Sequence, residues 1–426
     1  MATPPSGHQN ALATEISEAL TYFLDPTVYR WNALDCERRT AGGVNNVTKL
    51  VSVARIDDDS PITFVLRVYR NNNHTGRVAW EHLVLRFLNR VANELTSFGA
   101  PLGFCFPSPL HSRKQVDQTF EVLSSGASSC LFEFIPGSLA KTASPSAVGT
   151  AAGATSAILS YITLPILSEL SSGIVRGVTR IDLPAPYHQL WAVHHAISSR
   201  RVFLDVIAEN EASWFANSPQ ERRAAFQNLV QRIILLDEDI QQQQQRDCET
   251  QATHVTHLIH GDLHYDNVLV ETERTSKTTL AESNEPHDQQ QPEESHCCVT
   301  AVLDFEFVSL EWRIMELAIC LSKYLSEPEE DIMTKYCTPF IQAFVRAYAQ
   351  RLREFAAKKE RTSEEALLQQ NEAFTFSSFE CSHFVDCIAL RILSNVVFFV
   401  GRAVSGEDVV EGLTSRVEPY ARRSSG

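Results

Sequence analysis

The sequence predicts an α+β protein in which a small β-rich part precedes a larger, mainly helical part. Three observations support this class. The first 135 residues contain runs rich in β-branched and aromatic residues around a single helical pattern. Later segments place apolar residues at helical spacing over long stretches. Of the 426 residues, 44% are hydrophobic and 21% are charged, a composition that folds around a core without disulfides or metals.

The β-rich part has strand patterns on both sides of one helix. Residues 40–56 and 62–70 are β-rich, and the first run is long enough for two strands around its glycines. A turn-forming Asp-Asp-Asp-Ser-Pro sequence separates them. Residues 76–95 show helical periodicity, and residues 119–125 and 129–137 are two further strand candidates. These patterns predict a small sheet that carries one helix.

Helical patterns dominate the second part of the chain. The helix candidates are, in chain order, residues 187–207, 221–240, 313–325, 332–358 and 379–402. Short apolar strand candidates at 257–260, 267–270 and 299–307 interrupt these helices. The sequence therefore predicts a second group of strands within the helical part.

Two polar or low-complexity segments are interpreted as insertions. Residues 140–156 are of low complexity, which indicates a loose surface segment. Residues 271–298 are rich in Glu, Gln, Ser and Thr and have too little apolar content to pack, so they predict an insertion between two strands. We accordingly predict an N-terminal extension at 1–30, the β-rich part at 31–135 and the helical part at 136–426.

The negative charge of the chain argues against a nucleic-acid partner. The sequence has 37 Lys and Arg against 52 Asp and Glu, which gives a formal net charge of −15. Proteins that bind a phosphate backbone need a basic face to displace counterions, and no Lys/Arg-rich run supplies one. The composition gives no indication of the oligomeric state.

Cysteine usage and apolar content predict a cytoplasmic protein. The ten cysteines include no Cys-x-x-Cys pair, so the sequence predicts neither a zinc site nor a disulfide framework. The N-terminal segment lacks the basic and apolar regions of a signal peptide. Residues 142–168 carry no charge, but Pro165 and a low apolar density argue against a membrane span there.

The segment at 258–270, LIHGDLHYDNVLV, carries the most informative motif. Asp262 follows a strand candidate, and Asn267 comes five residues later, before another strand candidate. Asp304 ends a third apolar strand, VTAVLD, 37 residues beyond Asn267. This order matches the H-x-D-x-x-x-x-N motif of kinases, followed by an aspartate that holds metal.

The chemistry of phosphate transfer explains these residue types. A carboxylate must orient or deprotonate the acceptor hydroxyl, and we assign that catalytic role to Asp262. Mg²⁺ prefers hard oxygen ligands, which suits Asn267 and Asp304 as metal-binding residues. The alternative is a degenerate site that keeps the motif without catalysing transfer.

The motifs HGDLHYDN and VLDFEF together resemble the aminoglycoside phosphotransferase and choline–ethanolamine kinase superfamily. The similarity continues through DFEFVSLEWRIMELA, where Trp312-Arg313 and Glu316-Leu317 match family positions, although Glu316 replaces the usual aspartate. The resemblance spans about residues 34–350. The later segment LRILSNVVFFVGRAVSGED is similar to phosphotransferases grouped with type II homoserine kinases. This resemblance implies the two-lobed protein-kinase-like fold, with a β-rich N-lobe and a helical C-lobe.

The resemblance also implies a nucleotide site in the N-lobe. Gly42 and Gly43 match a glycine-containing loop whose backbone amides approach phosphates, although a plain β-turn is the alternative. Arg67 takes the place of the phosphate-contacting lysine of protein kinases. Glu81, on the next helix, is the expected ion-pair partner of Arg67.

The sequence FEFIPG resembles the hinge between the two lobes. Backbone groups of Glu133, Phe134 and Ile135 would then meet the adenine ring of ATP. The implied cofactors are therefore ATP and Mg²⁺.

Four polar residues near the motif have a structural role as the alternative to a chemical one. His260 is expected to bond backbone groups near the catalytic loop, whereas His264 either faces the substrates or has no chemical role. Arg313 and Glu316 lie three residues apart on a predicted helix. They either pair with each other or brace the catalytic loop, and we favour bracing.

The predicted reaction is ATP- and Mg²⁺-dependent phosphorylation of a hydroxyl group on a small molecule. The acceptor is an amino alcohol such as choline or ethanolamine, homoserine, or an aminoglycoside-like compound. A cationic acceptor would need acidic or aromatic neighbours, for which Glu306, Glu311 and Trp312 are the nearest candidates.

Two other functions are alternatives to this prediction. A protein kinase is disfavoured because the chain lacks D-F-G and A-P-E, and helical periodicity resumes at Arg313, too soon after Asp304 for an activation loop. A nucleotide-binding interaction module, docking through residues 271–298, is the alternative from a different class.

Overall fold

The computed structural model describes residues 6–32, 38–39, 46–69, 75–115, 117–141, 144–172, 181–216, 218–250, 255–272, 297–327, 329–360 and 376–406. The predicted two-lobed α+β class is confirmed, because a curled antiparallel sheet is followed by a mainly helical lobe.

The N-lobe is one antiparallel sheet with a helix on each face. Its described elements are, in chain order, α1 (Ser6–Phe23), β1 (Tyr29–Arg30), β2 (Arg38–Arg39), β3 (Asn46–Arg55), β4 (Pro61–Tyr69), α2 (Thr75–Ser97), β5 (Glu121–Val122) and β6 (Ser128–Glu133). The strand order is β1-β3-β4-β6-β5, with β2 beside β3. Side chains along β4 point alternately to the two faces of the sheet. Leu66 packs on one face with Ile16 and Leu20 of α1, whereas Tyr69 faces the core beside α2. Helix α1 is thus part of the N-lobe core, although residues 1–30 were predicted as an extension.

The C-lobe is built from helices around two small antiparallel sheets. Its described elements are β7 (Ser138–Leu139), α3 (Pro145–Ser171), α4 (Arg200–Trp214), α5 (Gln220–Thr250), β8 (Thr256–Ile259), β9 (Val268–Thr272), β10 (Cys297–Val302), β11 (Ser309–Trp312), α6 (Arg313–Tyr324), α7 (Thr338–Glu360), α8 (Ser378–Ser382) and α9 (Phe384–Val404). Strand β9 lies between β10 and β7, and β8 pairs with β11. Strands β9 and β10 extend into the predicted insertion at 271–298, and residues 273–296 lie outside the described residues.

The prediction of a loose insertion at 140–156 is wrong. Helix α3 begins at Pro145, and its first half is buried against α7. A Cβ atom added at Gly149 would lie 2.5 Å from the carbonyl oxygen of Phe340, and one at Gly153 would lie 2.2 Å from that of Phe344. The run of Ala, Gly, Ser and Thr is therefore a close helix–helix contact, in which small side chains allow the two backbones to approach.

This contact predicts a large effect of a small substitution. We expect Gly153→Ala to lower the free energy of unfolding by about 1–3 kcal/mol, because the added methyl group overlaps the α7 backbone. Urea denaturation of the purified protein measures the change. Thr150→Ala, at an exposed position of the same helix, is the control and should stay within about 0.5 kcal/mol of wild type. Equal stability of all three proteins would contradict the close packing.

The helix predictions at 76–95 and 313–325 agree with α2 and α6 to within two residues. Helix α5 continues to Thr250, beyond the predicted end at 240, and His383 divides the predicted helix at 379–402 into α8 and α9. At 187–207, a single 3₁₀ turn at Leu190–Ala192 precedes α4. Helix α4 begins after Ser199, whose side chain accepts a hydrogen bond from the backbone amide of Val202 at 3.2 Å. The glutamine run at 241–245 lies within α5.

Two described helices, α3 and α9, are long and apolar enough to span a membrane by length and composition. In the structure, 67% of the most apolar 18-residue stretch of α3 is buried inside the protein, and 50% of the corresponding stretch of α9. Core helices of globular proteins have the same character, so these patterns are weak evidence for a membrane span.

Candidate active site

The catalytic motif forms a tight loop between β8 and β9. Gly261 has a φ of +81°, a conformation that glycine adopts without a Cβ clash. A Cβ at this position would lie 2.2 Å from the carbonyl oxygen of Phe307. The glycine therefore lets the loop approach the segment that follows Asp304 along the chain.

Three side chains surround the carboxylate of Asp262. Arg391 of α9 donates from Nη2 to Oδ1 at 2.9 Å. The side-chain amide of Asn267 donates to the Asp262 backbone carbonyl at 2.8 Å and to Oδ2 at 3.3 Å. His264 places Nε2 3.6 Å from Oδ2. The motif residues Asp262 and Asn267 thus meet as predicted, and His264 lies beside them.

The surroundings of Asp262 favour its ionised form. Burial raises the pKa of Asp262, but the charge and hydrogen bonding of His264 and the charge of Arg391 outweigh burial. The net pKa of Asp262 lies well below its usual value. A carboxylate that stays ionised at neutral pH can accept a hydrogen bond from an acceptor hydroxyl.

His260 connects the catalytic loop by hydrogen bonds to the segment between β10 and Asp304. Its Nδ1 accepts from the backbone amide of Asp262 at 3.3 Å, and its Nε2 donates to the carbonyl of Leu303 at 2.8 Å. Burial lowers the pKa of His260, which suits a neutral ring with one donor and one acceptor nitrogen. The predicted structural role of His260 is confirmed.

Glu316 braces the same loop from helix α6. Its carboxylate is fully buried and accepts hydrogen bonds from the backbone amides of His260 and Gly261. Arg313, in contrast, forms a buried ion pair with Glu380 of α8. The favoured prediction of bracing therefore holds for Glu316 and is wrong for Arg313.

The burial of Glu316 predicts a pH-dependent stability. Burial raises the pKa of Glu316 to about 8, from 4.5, and the amide hydrogen bonds lower it only in part. Between pH 4.5 and about 8, Glu316 keeps its proton in the folded state and releases it in the unfolded state. The free energy of unfolding therefore falls as pH rises through this range. Glu316→Gln stays neutral throughout. We expect its stability relative to wild type to increase by about 1 kcal/mol per pH unit across this window.

Urea denaturation at several pH values from about 5 to 8 measures this difference. Glu209→Gln, an exposed change on α4, should keep a constant difference from wild type. A constant difference for Glu316→Gln as well would show that Glu316 does not carry the raised pKa.

Asn267 and Asp304 have the donor chemistry of a magnesium site. They are linked through the backbone, because Leu303 donates its amide to the carbonyl oxygen of Asn267 at 2.8 Å. The Asn267 amide uses its nitrogen toward Asp262, which leaves the amide oxygen for a hard cation. Asp304 is 29% exposed and adopts a φ of +67°, a left-handed conformation that places its carboxylate at the start of a 3₁₀ turn. An amide oxygen and a carboxylate fit Mg²⁺.

A second cluster gathers around Arg67 on β4. The predicted ion pair forms: Nη1 donates to Glu81 of α2 at 3.1 Å. Nη2 donates to Asp304 at 2.8 Å and to Glu306 at 2.7 Å. Burial lowers the pKa of Arg67, but the charges of Asp304, Glu81 and Glu306 raise it above the usual value. Arg67 therefore joins the N-lobe to the metal-ligand candidate of the C-lobe.

The Arg67 cluster has one donor atom that fits a phosphate-binding role. Within the described residues, Nε of Arg67 is buried without a hydrogen-bond partner. Gly42 and Gly43 precede Asn46 along the chain but lie outside the described residues. A buried, unsatisfied guanidinium nitrogen is costly, and a phosphate oxygen of ATP is one acceptor that would satisfy it.

The predicted hinge lies on the connection between the two lobes. Strand β6 ends at Glu133, and β7 pairs with β9 of the C-lobe from Ser138 onward. The amide of Glu133 donates to Ser108 at 3.2 Å, and Phe134 is 41% exposed. Ile135 follows on the same connection. These three residues are thus at a lobe junction, and their contact with adenine stays a prediction.

The residues expected to surround a cationic acceptor have other contacts. Glu311 is fully buried and bonds to the amide and ring of His188, and Trp312 stacks on that ring with centroids 4.8 Å apart. Glu306 pairs with Arg67 and Asn46. The expectation that Glu306, Glu311 and Trp312 line a cation pocket is therefore not supported by their contacts.

Sequence reasoning missed two residues that touch the catalytic loop, Arg391 and Tyr187. Tyr187 donates from its hydroxyl to the carbonyl oxygen of Gly261 at 2.7 Å. Arg391 lies on the same side of α9 as the buried residues Cys387, Leu390 and Ser394. A charged residue on the buried face of an apolar helix was the available signal, since such charges require a partner.

Comparisons with known proteins give structural similarity only. No family model and no curated protein matches the chain. A microcompartment-associated aminopropanol kinase is 13% identical, with 97% of this chain and 95% of that chain covered and a TM-score of 0.48. A choline kinase from Cryptosporidium parvum Iowa II is 12% identical, with 98% and 94% covered and a TM-score of 0.46. An aminoglycoside phosphotransferase in complex with GDP and kanamycin is 11% identical, with 96% and 97% covered and a TM-score of 0.44.

Proposed function

We propose that the protein is a kinase that transfers the γ-phosphate of ATP to a hydroxyl group of a small molecule. The observation that carries this proposal is a chain of hydrogen bonds: Asn267 donates to Asp262, the amide of Leu303, next to Asp304, donates to the Asn267 carbonyl, and Arg67 donates to Asp304. These residues supply a base, hard oxygen ligands and a phosphate-binding cation. The motif order in the sequence supports the same reaction.

Each side chain has one role in the proposed reaction. The ionised carboxylate of Asp262 accepts the proton of the acceptor hydroxyl. The hydroxyl oxygen forms a bond to the γ-phosphorus, and the bond between that phosphorus and the β,γ-bridging oxygen breaks, so that ADP leaves with the electron pair. Arg67 binds phosphate oxygens, and Glu81 keeps the guanidinium in place.

ATP and Mg²⁺ are the proposed cosubstrate and metal. Asn267 and Asp304 would hold Mg²⁺, which neutralises phosphate charge when bound. Gly42, Gly43 and the backbone from Glu133 to Ile135 are proposed to contact the nucleotide. The cofactor assignment is supported by the donor chemistry of these side chains and by the buried Nε of Arg67.

The proposed acceptors are choline, ethanolamine, homoserine and aminoglycosides, as the motif resemblance implies. The occupied contacts of Glu311 and Trp312 reduce the support for a purely cationic acceptor. We propose a cytoplasmic location without a nucleic-acid partner, supported by the net charge of −15 and by the cysteine pattern.

The test is an ATP-consumption screen over these four acceptor types with the purified protein. Acceptor-dependent ADP release is expected from wild type and should be lost in Asp304→Ala. Deleting residues 273–296 is the matched control, because an enzyme should keep its turnover without them. Binding of ATP with no transfer to any acceptor would favour the interaction module instead, and that module should lose its partner in the deletion variant.

A further inference from the structure

The carboxylate of Asp262 is held from a helix far away in the sequence. Arg391 lies 129 residues after Asp262 and donates from Nη2 to Oδ1 at 2.9 Å. Both side chains are largely buried, with exposed fractions of 10% for Arg391 and 21% for Asp262. A charge-assisted hydrogen bond between largely buried groups restricts both side chains.

Arg391 is itself fixed on two sides. Its guanidinium lies over the ring of Tyr187, 4.7 Å from the ring centroid, and its Nη1 donates to Asn395 one turn later on α9. The Tyr187 hydroxyl in turn donates to the carbonyl of Gly261, the residue before Asp262. Arg391 and Tyr187 thus contact the catalytic loop at adjacent residues and each other, which closes a ring of contacts around Asp262.

We propose that Arg391 is a positioning residue that holds the Asp262 carboxylate in the orientation required for proton transfer. This inference rests on the proposed function. Arg391 bonds to Oδ1, whereas Oδ2 faces the side-chain nitrogen of Asn267 at 3.3 Å and Nε2 of His264 at 3.6 Å, so the three side chains together fix the plane of the carboxylate. Arg391 therefore acts on the catalytic loop from α9, although the kinase motif ends before that helix.

A positioning role has a distinct kinetic effect. Arg391→Gln should lower kcat by about 10–100-fold, because small misplacement of a catalytic group costs that order of rate. The KM for ATP should change less than threefold, since the Arg67 cluster is untouched. Arg391→Lys keeps a charge but lacks the planar fork that reaches Asp262 and Asn395 together, so it should recover part of kcat.

A variant pair separates this effect from a loss of folding. Arg402→Gln is the matched control, because Arg402 lies on the same helix, is 4% exposed and packs its guanidinium on the ring of Phe398. It should lose stability but keep kcat for the folded fraction. If Arg391→Gln does not fold, Tyr187→Phe removes only the hydroxyl bond to Gly261 and should still lower kcat about 3–10-fold.

The outcomes distinguish the two proposals. In an Asp262→Asn background, Arg391→Gln should cost no further activity, because its effect acts through the carboxylate. An active wild type with unchanged kcat in Arg391→Gln and Tyr187→Phe would overturn the role of Arg391 alone. Additive losses in the double variant would overturn it too. If wild type transfers phosphate to no acceptor, the proposed function fails, and the positioning role fails with it.

Discussion

Asp262→Asn is expected to reduce phosphate transfer by about 10²–10⁴-fold, the usual contribution of a general base. Asparagine keeps the size and shape of aspartate, but one of its two terminal atoms donates instead of accepting, and the neutral amide cannot accept the hydroxyl proton. The pKa of the Asp262 carboxyl lies well below its ordinary value, so the wild-type side chain is ionised at neutral pH. Initial rates of ADP formation, with saturating ATP and the best acceptor from the screen, measure the loss.

ATP binding should be unchanged in this variant, since Asp262 contacts Asn267, His264 and Arg391 rather than the Arg67 cluster. Asp266→Asn is the matched control. Asp266 lies four residues later and pairs with Lys323 at 2.9 Å, and it should retain most of the activity. Retention of full activity in Asp262→Asn would refute its role as the base.

Arg67→Gln is expected to lose both nucleotide binding and stability. Three carboxylates surround Arg67, and removal of the cation leaves their like charges close together in a partly buried site. Breaking a buried ion pair by removing one partner costs about 3–5 kcal/mol. The carboxylates are 3%, 29% and 17% exposed, so we expect the lower part of that range for the loss in free energy of unfolding.

Urea denaturation measures the stability loss in Arg67→Gln, and titration with a fluorescent ATP analogue measures binding. Arg67→Lys keeps one positive charge and should retain most of the stability, but it cannot bridge three carboxylates with a planar fork. Arg86→Gln removes an exposed arginine that pairs with the half-buried Glu169 and should cost about 1 kcal/mol or less. Unchanged ATP affinity in Arg67→Gln would remove Arg67 from the proposed phosphate site.

The residues that carry the proposed chemistry were largely predictable because they are close along the chain. Asp262 and Asn267 share one loop between two apolar strands, and Asp304 follows β10, the strand that pairs with β9. The pair of Arg67 and Glu81 was also predictable, because a strand and the next helix carry them in the order typical of kinases. Short-range order was enough for these residues.

The partners of these residues were not predictable in the same way. Arg391 reaches Asp262 from α9, and Glu306 joins Glu81 around Arg67. In the sequence, Arg391 is one arginine in an apolar helix, with nothing nearby to indicate its partner. The spacing of apolar residues along a helix indicates which face is apolar, but it does not indicate which residues that face contacts.

The small-residue run at 140–156 shows the same limit for packing. Its composition is compatible with a loose segment and equally with a close helix contact, since both require small side chains. Only the position of α7, whose Phe344 carbonyl would lie 2.2 Å from a Cβ at Gly153, distinguishes the two. Composition describes the segment itself, whereas burial depends on the surface that covers it.

The sequence by itself established the α+β class, the order of the motif and the candidate roles of Asp262, Asn267 and Asp304, because these follow from local pattern and residue chemistry. The tertiary structure decided which charges surround Asp262 and Arg67, which helix is buried, and that α9 contacts the catalytic loop. The physical reason is that packing and electrostatic interactions depend on distances in space, and the deciding contacts join residues up to 239 positions apart in the chain.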